Sequence, residues 1–83
     1  MGPWSLYIIE TDRGSLYTGI TTDIERRWQQ HCRGKGARYF RTARPISIVH
    51  TEIGMDRSGA LKREAEIKRL TADGKRRLIA CKK

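Results

Sequence analysis

Six positions in this 83-residue chain could act together: Tyr7, Tyr17, Gly19, Arg27, His31 and Glu64. Four of them lie in one stretch, Tyr17 to His31, which joins a β-like run to an amphipathic helix. Phenol, guanidinium and imidazole groups so spaced read as half of an active site, able to hold an anion and exchange protons. Tyr7 before the stretch and Glu64 after it would supply the other half. At about 100° per residue Glu64 falls, with Lys68 one turn on, inside an apolar arc of Ala60, Leu61, Ala65, Ile67 and Leu70. One explanation is an ordinary i, i+4 ion pair with Lys68, worth a few tenths of a kcal/mol on an exposed face. The other is a metal ion or a dedicated hydrogen-bond network, because burying an unpaired carboxylate costs far more than such a pair returns. Glu66 points to solvent.

The elements that must position these groups follow from local chemistry. Residues 4 to 10 are aromatic and β-branched and read as a strand, Asp12-Arg13-Gly14 as a turn, and residues 15 to 20 as a second strand of an antiparallel hairpin. Tyr7 and Tyr17 share a face of the sheet if the connecting loop has an odd number of residues, which the sequence alone leaves open. Gly19 either marks a close approach of backbone or ligand or simply ends its strand. Thr22 with Glu25 matches a capping box and Asp23 suits the positive end of a helix, so a helix is expected from there to about Arg33, stopped by Gly34 and Gly36. On it Ile24, Trp28 and Cys32 would face the core, with Arg27 and His31 along one flank.

Lys35, Arg38, Arg41 and Arg44 then alternate with Tyr39 and Phe40 in a loop or short helix suited to a phosphate backbone. Phe40 is expected in the core; Tyr39 either packs or stacks on a base. Residues 46 to 53 read as a third strand bounded by Gly54, although their apolar positions do not alternate cleanly. Ser58 would cap a helix from about Gly59 to Leu70, and Thr71 a last one through Ile79, weakened by Gly74, before a basic tail that includes Lys82 and Lys83. The order β-β-α-(α)-β-α-α implies an α+β fold in one domain, residues 1–83, with a small three-stranded antiparallel sheet flanked by helices.

Hydrophobic residues make up 37% of the chain and charged ones 33%, with a formal net charge of +9. So large a basic excess points to a polyanion, nucleic acid ahead of a merely self-repelling surface. No apolar run approaches the ~18 residues of a membrane helix. The N-terminus lacks the basic region and apolar core of a secretory signal, so a cytoplasmic protein is expected. Cys32 and Cys81, far apart and in no metal-like spacing, are expected as free thiols.

Taken in order, Leu6-Tyr7-Ile8, Tyr17-Thr18-Gly19 ten residues on, Arg27, His31 and a helical Glu64 after a third strand resemble the GIY-YIG nuclease superfamily over nearly the whole chain. Thr18 to Asp23, Gly34 to Ala37 and Asp56-Arg57-Ser58 resemble most its small stand-alone bacterial, YhbQ-like group. Leu6 stands where the family has glycine, Ile20 where the repair branch has lysine, and no asparagine follows Glu64 because the chain contains none.

The resemblance implies a metal-dependent DNA endonuclease that acts in repair or processing and leaves 5′-phosphate and 3′-hydroxyl ends. It implies Tyr7, Tyr17, Arg27, His31 and Glu64 as catalytic residues. Glu64 would hold a divalent cation, Mg2+ or alternatively Mn2+, which usually takes one or two carboxylates and several waters. Arg27 would bind the scissile phosphate, and Tyr17, or Tyr7 as its partner, would serve as the general base, with His31 positioning or relaying the proton. Gly19, Lys35, Arg38, Arg41 and Lys68 are the expected substrate contacts of a monomer that prefers DNA to RNA. The alternative is a basic nucleic-acid-binding module with little or no cleavage.

Overall fold

A computed structural model describes residues 3–81; Lys82 and Lys83 of the expected basic tail lie outside the described residues. The chain runs β1 (Trp4–Thr11), β2 (Leu16–Thr21), α1 (Ile24–Cys32), a 3-10 helix (Arg38–Arg41), β3 (Pro45–Met55), α2 (Arg57–Lys68) and α3 (Ala72–Ala80). The strands form one antiparallel sheet in the order β2-β1-β3, so the α+β expectation and the element order are both met.

β1 is central and buried on both faces. Leu6 and Ile8 form one core with Ile67 of α2, while Tyr7 and Ile9 form another with Phe40. This doubly covered strand explains why residues 6 to 9 read as an unbroken apolar run. The hairpin closes through the Thr11 amide donating to the Ser15 carbonyl at 3.0 Å, with Gly14 at φ 78°, a conformation that L side chains rarely adopt. Residues 11–15 separate the last pair, Glu10 and Leu16, an odd number, so Tyr7 (opposite Gly19) and Tyr17 (opposite Ile9) share a face.

Four features of the helices differ from the sequence expectation. Asp23, not Thr22, caps α1: its backbone is extended and its carboxylate accepts from the Arg26 amide at 3.1 Å. The inward row of α1 is 24, 27, 28 and 31, the i, i+3, i+4, i+7 set, instead of 24, 28 and 32. His31 is 1% exposed, whereas Cys32 is exposed. α2 begins after Asp56, whose carboxylate accepts from the Gly59 amide at 2.7 Å, and not at Ser58. An acidic side chain reaches the third amide ahead at both caps and adds charge at the positive helix end, which a hydroxyl does not. The apolar arc of α2 is narrower than expected: Ala60 and Ile67 are buried, but Leu61 and Leu70 are each 40% exposed.

β3 extends beyond residues 46 to 53 at both ends, and its broken alternation has a cause. Its pairing with β1 shifts register three times, and each irregularity changes which face the next side chain meets. Thr71 caps α3 as expected, accepting from the Gly74 amide at 3.0 Å. α2 is tied to β3 by Arg63, whose Nε and Nη2 donate to the two carboxylate oxygens of Glu52 at 2.8 and 3.0 Å. Because Ile67 is fully buried between α2 and the sheet, Ile67→Ala is expected to cost about 2–5 kcal/mol in a urea unfolding series.

Candidate active site

Tyr7 sits at the middle of the central strand, 2% exposed, directly opposite Gly19. A Cβ on Gly19 would lie 2.5 Å from the Tyr7 hydroxyl and 2.7 Å from Cζ, so the close approach at this glycine is made by the Tyr7 ring and not, as expected, by backbone or ligand. Tyr17, a diagonal neighbour on the same face, has its ring centroid 6.3 Å from that of Tyr7 and 5.6 Å from His31. From α1, His31 brings Nε2 to 2.8 Å from Tyr7 Oη. Phe40 of the 3-10 helix closes the cluster at 4.5 Å from His31 and 4.9 Å from Tyr17.

Arg27 lies one helical turn before His31 on the same inward row, half-buried, with Nη1 donating to Gln30 Oε1 at 2.9 Å. It acts on both neighbours. Burial pushes the Tyr7 phenol up to about 12, against the opposing effect of the nearby Arg27 guanidinium. Burial holds His31 down to about 4, with the Arg27 charge acting in the same direction. The Glu64 carboxylate is also near enough to disfavour a phenolate at Tyr7. Tyr7, Tyr17, Arg27 and His31 therefore converge, with the Glu64 charge felt at their centre.

Glu64 is placed by its helix. Ala60 four residues before it and Ile67 three after it are both fully buried, so Glu64 lies on the sheet-facing row with a side chain only 20% exposed. Its carboxylate is 3.3 Å from the ammonium group of the half-exposed Lys68, the ordinary ion pair that the spacing allows. Lys35, Arg38 and Arg41 are exposed on the segment beyond α1. Arg41 lines a groove of about 390 Å3 with Arg33 and Arg44, and His31 reaches its wall. A second depression of about 270 Å3 is lined by Arg27 itself, together with Trp4 and Arg26.

Sequence reasoning missed the residues that hold His31. Gly36 has no room for a side chain, since a Cβ there would overlap the imidazole ring, and the Ala37 amide donates to His31 Nδ1 at 3.2 Å. The signal was the pair Gly34 and Gly36, read as a helix stop and as part of the family resemblance but not as room for the His31 ring. Gly34 indeed ends α1 at φ 75°, but Gly36 serves the site. Also missed was His50, 6% exposed, whose Nε2 lies 2.9 Å from Glu52 Oε2 in the network with Arg63. A lone histidine in a strand of irregular phase gave no signal.

The sequence model of the GIY-YIG catalytic domain matches residues 3–77. The UPF0213 protein YhbQ of Escherichia coli K12 is 50% identical over 80 residues, 96% of this chain and 80% of that protein. Two solution NMR structures share the fold. The UPF0213 protein BH0048 of Bacillus halodurans has 39% identity and a TM-score of 0.63, and EF2693 of E. faecalis has 36% identity and a TM-score of 0.67; each match covers 96% of this chain and 85% of the other.

The histidine carries a pH signature. The folded chain binds a proton at His31 with a pKa of about 4 against 6.5 for the free side chain. The unfolded chain therefore takes up more protons between those values, and stability falls as pH drops through that window. The stabilisation present above pH 6.5 should decline by up to about 3 kcal/mol by pH 4. His31→Gln should flatten this part of the stability curve in denaturant titrations, leaving the acid loss from Glu52, whose carboxyl is held low by Arg63.

Proposed function

The chain belongs to the GIY-YIG family, and we propose that it is a metal-dependent DNA endonuclease that cuts the phosphodiester backbone with little sequence preference, in DNA repair or processing in the cytoplasm. The observation that carries this reading is the convergence of Tyr7, Tyr17, Arg27 and His31, drawn from two strands and a helix, beside Glu64 from another. Arg27 binds the scissile phosphate; its fork of donors suits that anion and favours the charge that develops on it. Tyr7 is held as a phenol by burial, which makes Tyr17, half-buried at the edge of the cluster, the better placed of the two to take a proton from water.

Among the described residues, no three His, Cys, Asp or Glu side chains gather to cage a metal. A cation would rest on Glu64 alone, with water and phosphate oxygens completing its shell. That fits Mg2+, which keeps several waters and is often held by one or two carboxylates, and Mn2+ would be accepted on the same donors. When bound, such a cation polarises a phosphoryl oxygen and steadies the leaving oxygen. Lys68, half-exposed beside Glu64, would be free to turn to a phosphate if its carboxylate partner held the cation. Lys35, Arg38 and Arg41 contact the flanking backbone, which brings affinity without reading bases. The chain acts as a monomer.

A binding module without cleavage is the competing reading, and the Glu64–Lys68 ion pair favours it, because the ammonium already neutralises the carboxylate. The two part on one experiment. Nicking of DNA should require Mg2+ or Mn2+, and Arg27→Ala and Glu64→Gln should each lower its rate about 10²–10³-fold. Glu64→Gln should leave affinity measured in chelator within a few-fold of the parent. Equal nicking by the parent and Glu64→Gln preparations would exclude the enzyme. Affinity should also fall linearly in log–log plots against salt, with a slope of about −0.9 per neutralised phosphate on duplex DNA.

A further inference from the structure

His31 is buried between two hydrogen-bond partners whose roles are not symmetric. The Ala37 backbone amide can only donate, and it points at Nδ1 from 3.2 Å. A protonated Nδ1 would set two donors against each other, so Nδ1 must present its lone pair. The same clash disfavours the imidazolium, as do burial and the Arg27 charge, which together hold the group down to about 4. A neutral imidazole carries one proton, and it is then on Nε2. Nε2 lies 2.8 Å from Tyr7 Oη, so His31 donates and Tyr7 accepts.

We infer that the Gly36–Ala37 backbone locks His31 as its Nε2–H tautomer, making His31 a positioning donor to Tyr7, unable to accept the tyrosine proton. Gly36 becomes a positioning residue in turn, because any side chain there would push the ring off the Ala37 amide. The consequence for Tyr7 is specific. Its oxygen is fixed from one side by the imidazole, and its own proton is left for an acceptor brought by the substrate. A proton relay from Tyr7 to His31 is closed, because the receiving nitrogen already bears a proton. This assignment concerns the nuclease reading of the site only in its catalytic consequence; the tautomer itself is independent of any activity.

Long-range proton–nitrogen correlation spectra of the 15N-labelled protein at neutral pH read the tautomer directly, with His31 distinguished from His50 by the signals that vanish in His31→Gln. A protonated-type shift at Nε2 and an unprotonated-type shift at Nδ1 are expected. The reverse assignment, or two protonated nitrogens, overturns the inference even if the protein cuts no DNA. Gly36→Ala should shift the Nδ1 signal, and an unmoved spectrum removes Gly36 from the assignment. In nicking assays a glutamine amide can still donate to Tyr7 but cannot take a proton. His31→Gln should therefore lose less than about tenfold in rate, and His31→Leu, which leaves the Tyr7 hydroxyl unheld, at least about 10²-fold, the low end of the range for losing a positioned proton-transfer group, here Tyr7. Equal losses in the two variants would overturn the donor role.

Discussion

The ring of Tyr7 lying across Gly19 is the contact on which the site depends. A core tyrosine brings a hydroxyl into a region without water, and an unpaired buried hydroxyl costs about 1–3 kcal/mol. That atom needs a partner, and the partner is His31. The imidazole in turn needs a donor for its other nitrogen, which the Ala37 amide supplies, and space for its ring, which Gly36 leaves. Two glycines from distant parts of the chain thus serve one tyrosine, and neither position tolerates even a methyl group without displacing an aromatic ring.

The charges divide between tying the fold and equipping the site. Arg63 meets both oxygens of Glu52 and also Glu66, a fork geometry that holds α2 onto β3 and therefore fixes the height at which Glu64, the next residue, stands over the sheet. By contrast, Glu64 and Lys68 meet at 3.3 Å with the lysine half-exposed, a pair that exchanges partners at little cost. Arg27 lies between these extremes. It is anchored by Gln30, yet it remains charged at the edge of a buried aromatic cluster, where its field disfavours a second cation at His31 and favours an anion from outside.

Much of the architecture was legible because it rests on local chemistry. The β1 run, the Asp12-Arg13-Gly14 turn, the Thr71 cap and the burial of Phe40 each follow from residue type alone. The order of Tyr7, Tyr17, Arg27, His31 and Glu64 was legible as a set. What escaped depends on contacts between distant segments. Cys32 and His31 are one residue apart on α1, and hydrophobicity favours the cysteine as the inward residue, but a partner waiting on β1 turns the helix to bury the histidine. Asp23 and Asp56 beat the hydroxyl residues beside them because charge adds to hydrogen bonding at a helix start. The phase slips of β3 come from its partner strand and have no local signature.

The strand order β2-β1-β3 also sets a sequence of assembly. β1 meets β2 through a tight turn, a closure on the microsecond scale, so the two tyrosines can come together early. β3 reaches β1 only after α1 and the basic segment have been passed, and contacts so distant along the chain slow folding because the entropy of closing a long loop is lost first. α2 follows β3 and leans on it through Arg63. α2 itself packs on β1, with Ile67 against Leu6 and Ile8, so the carboxylate at position 64 reaches the phenols only through contacts distant along the chain, and a chain held at the hairpin stage would carry the phenols of the site without its acid.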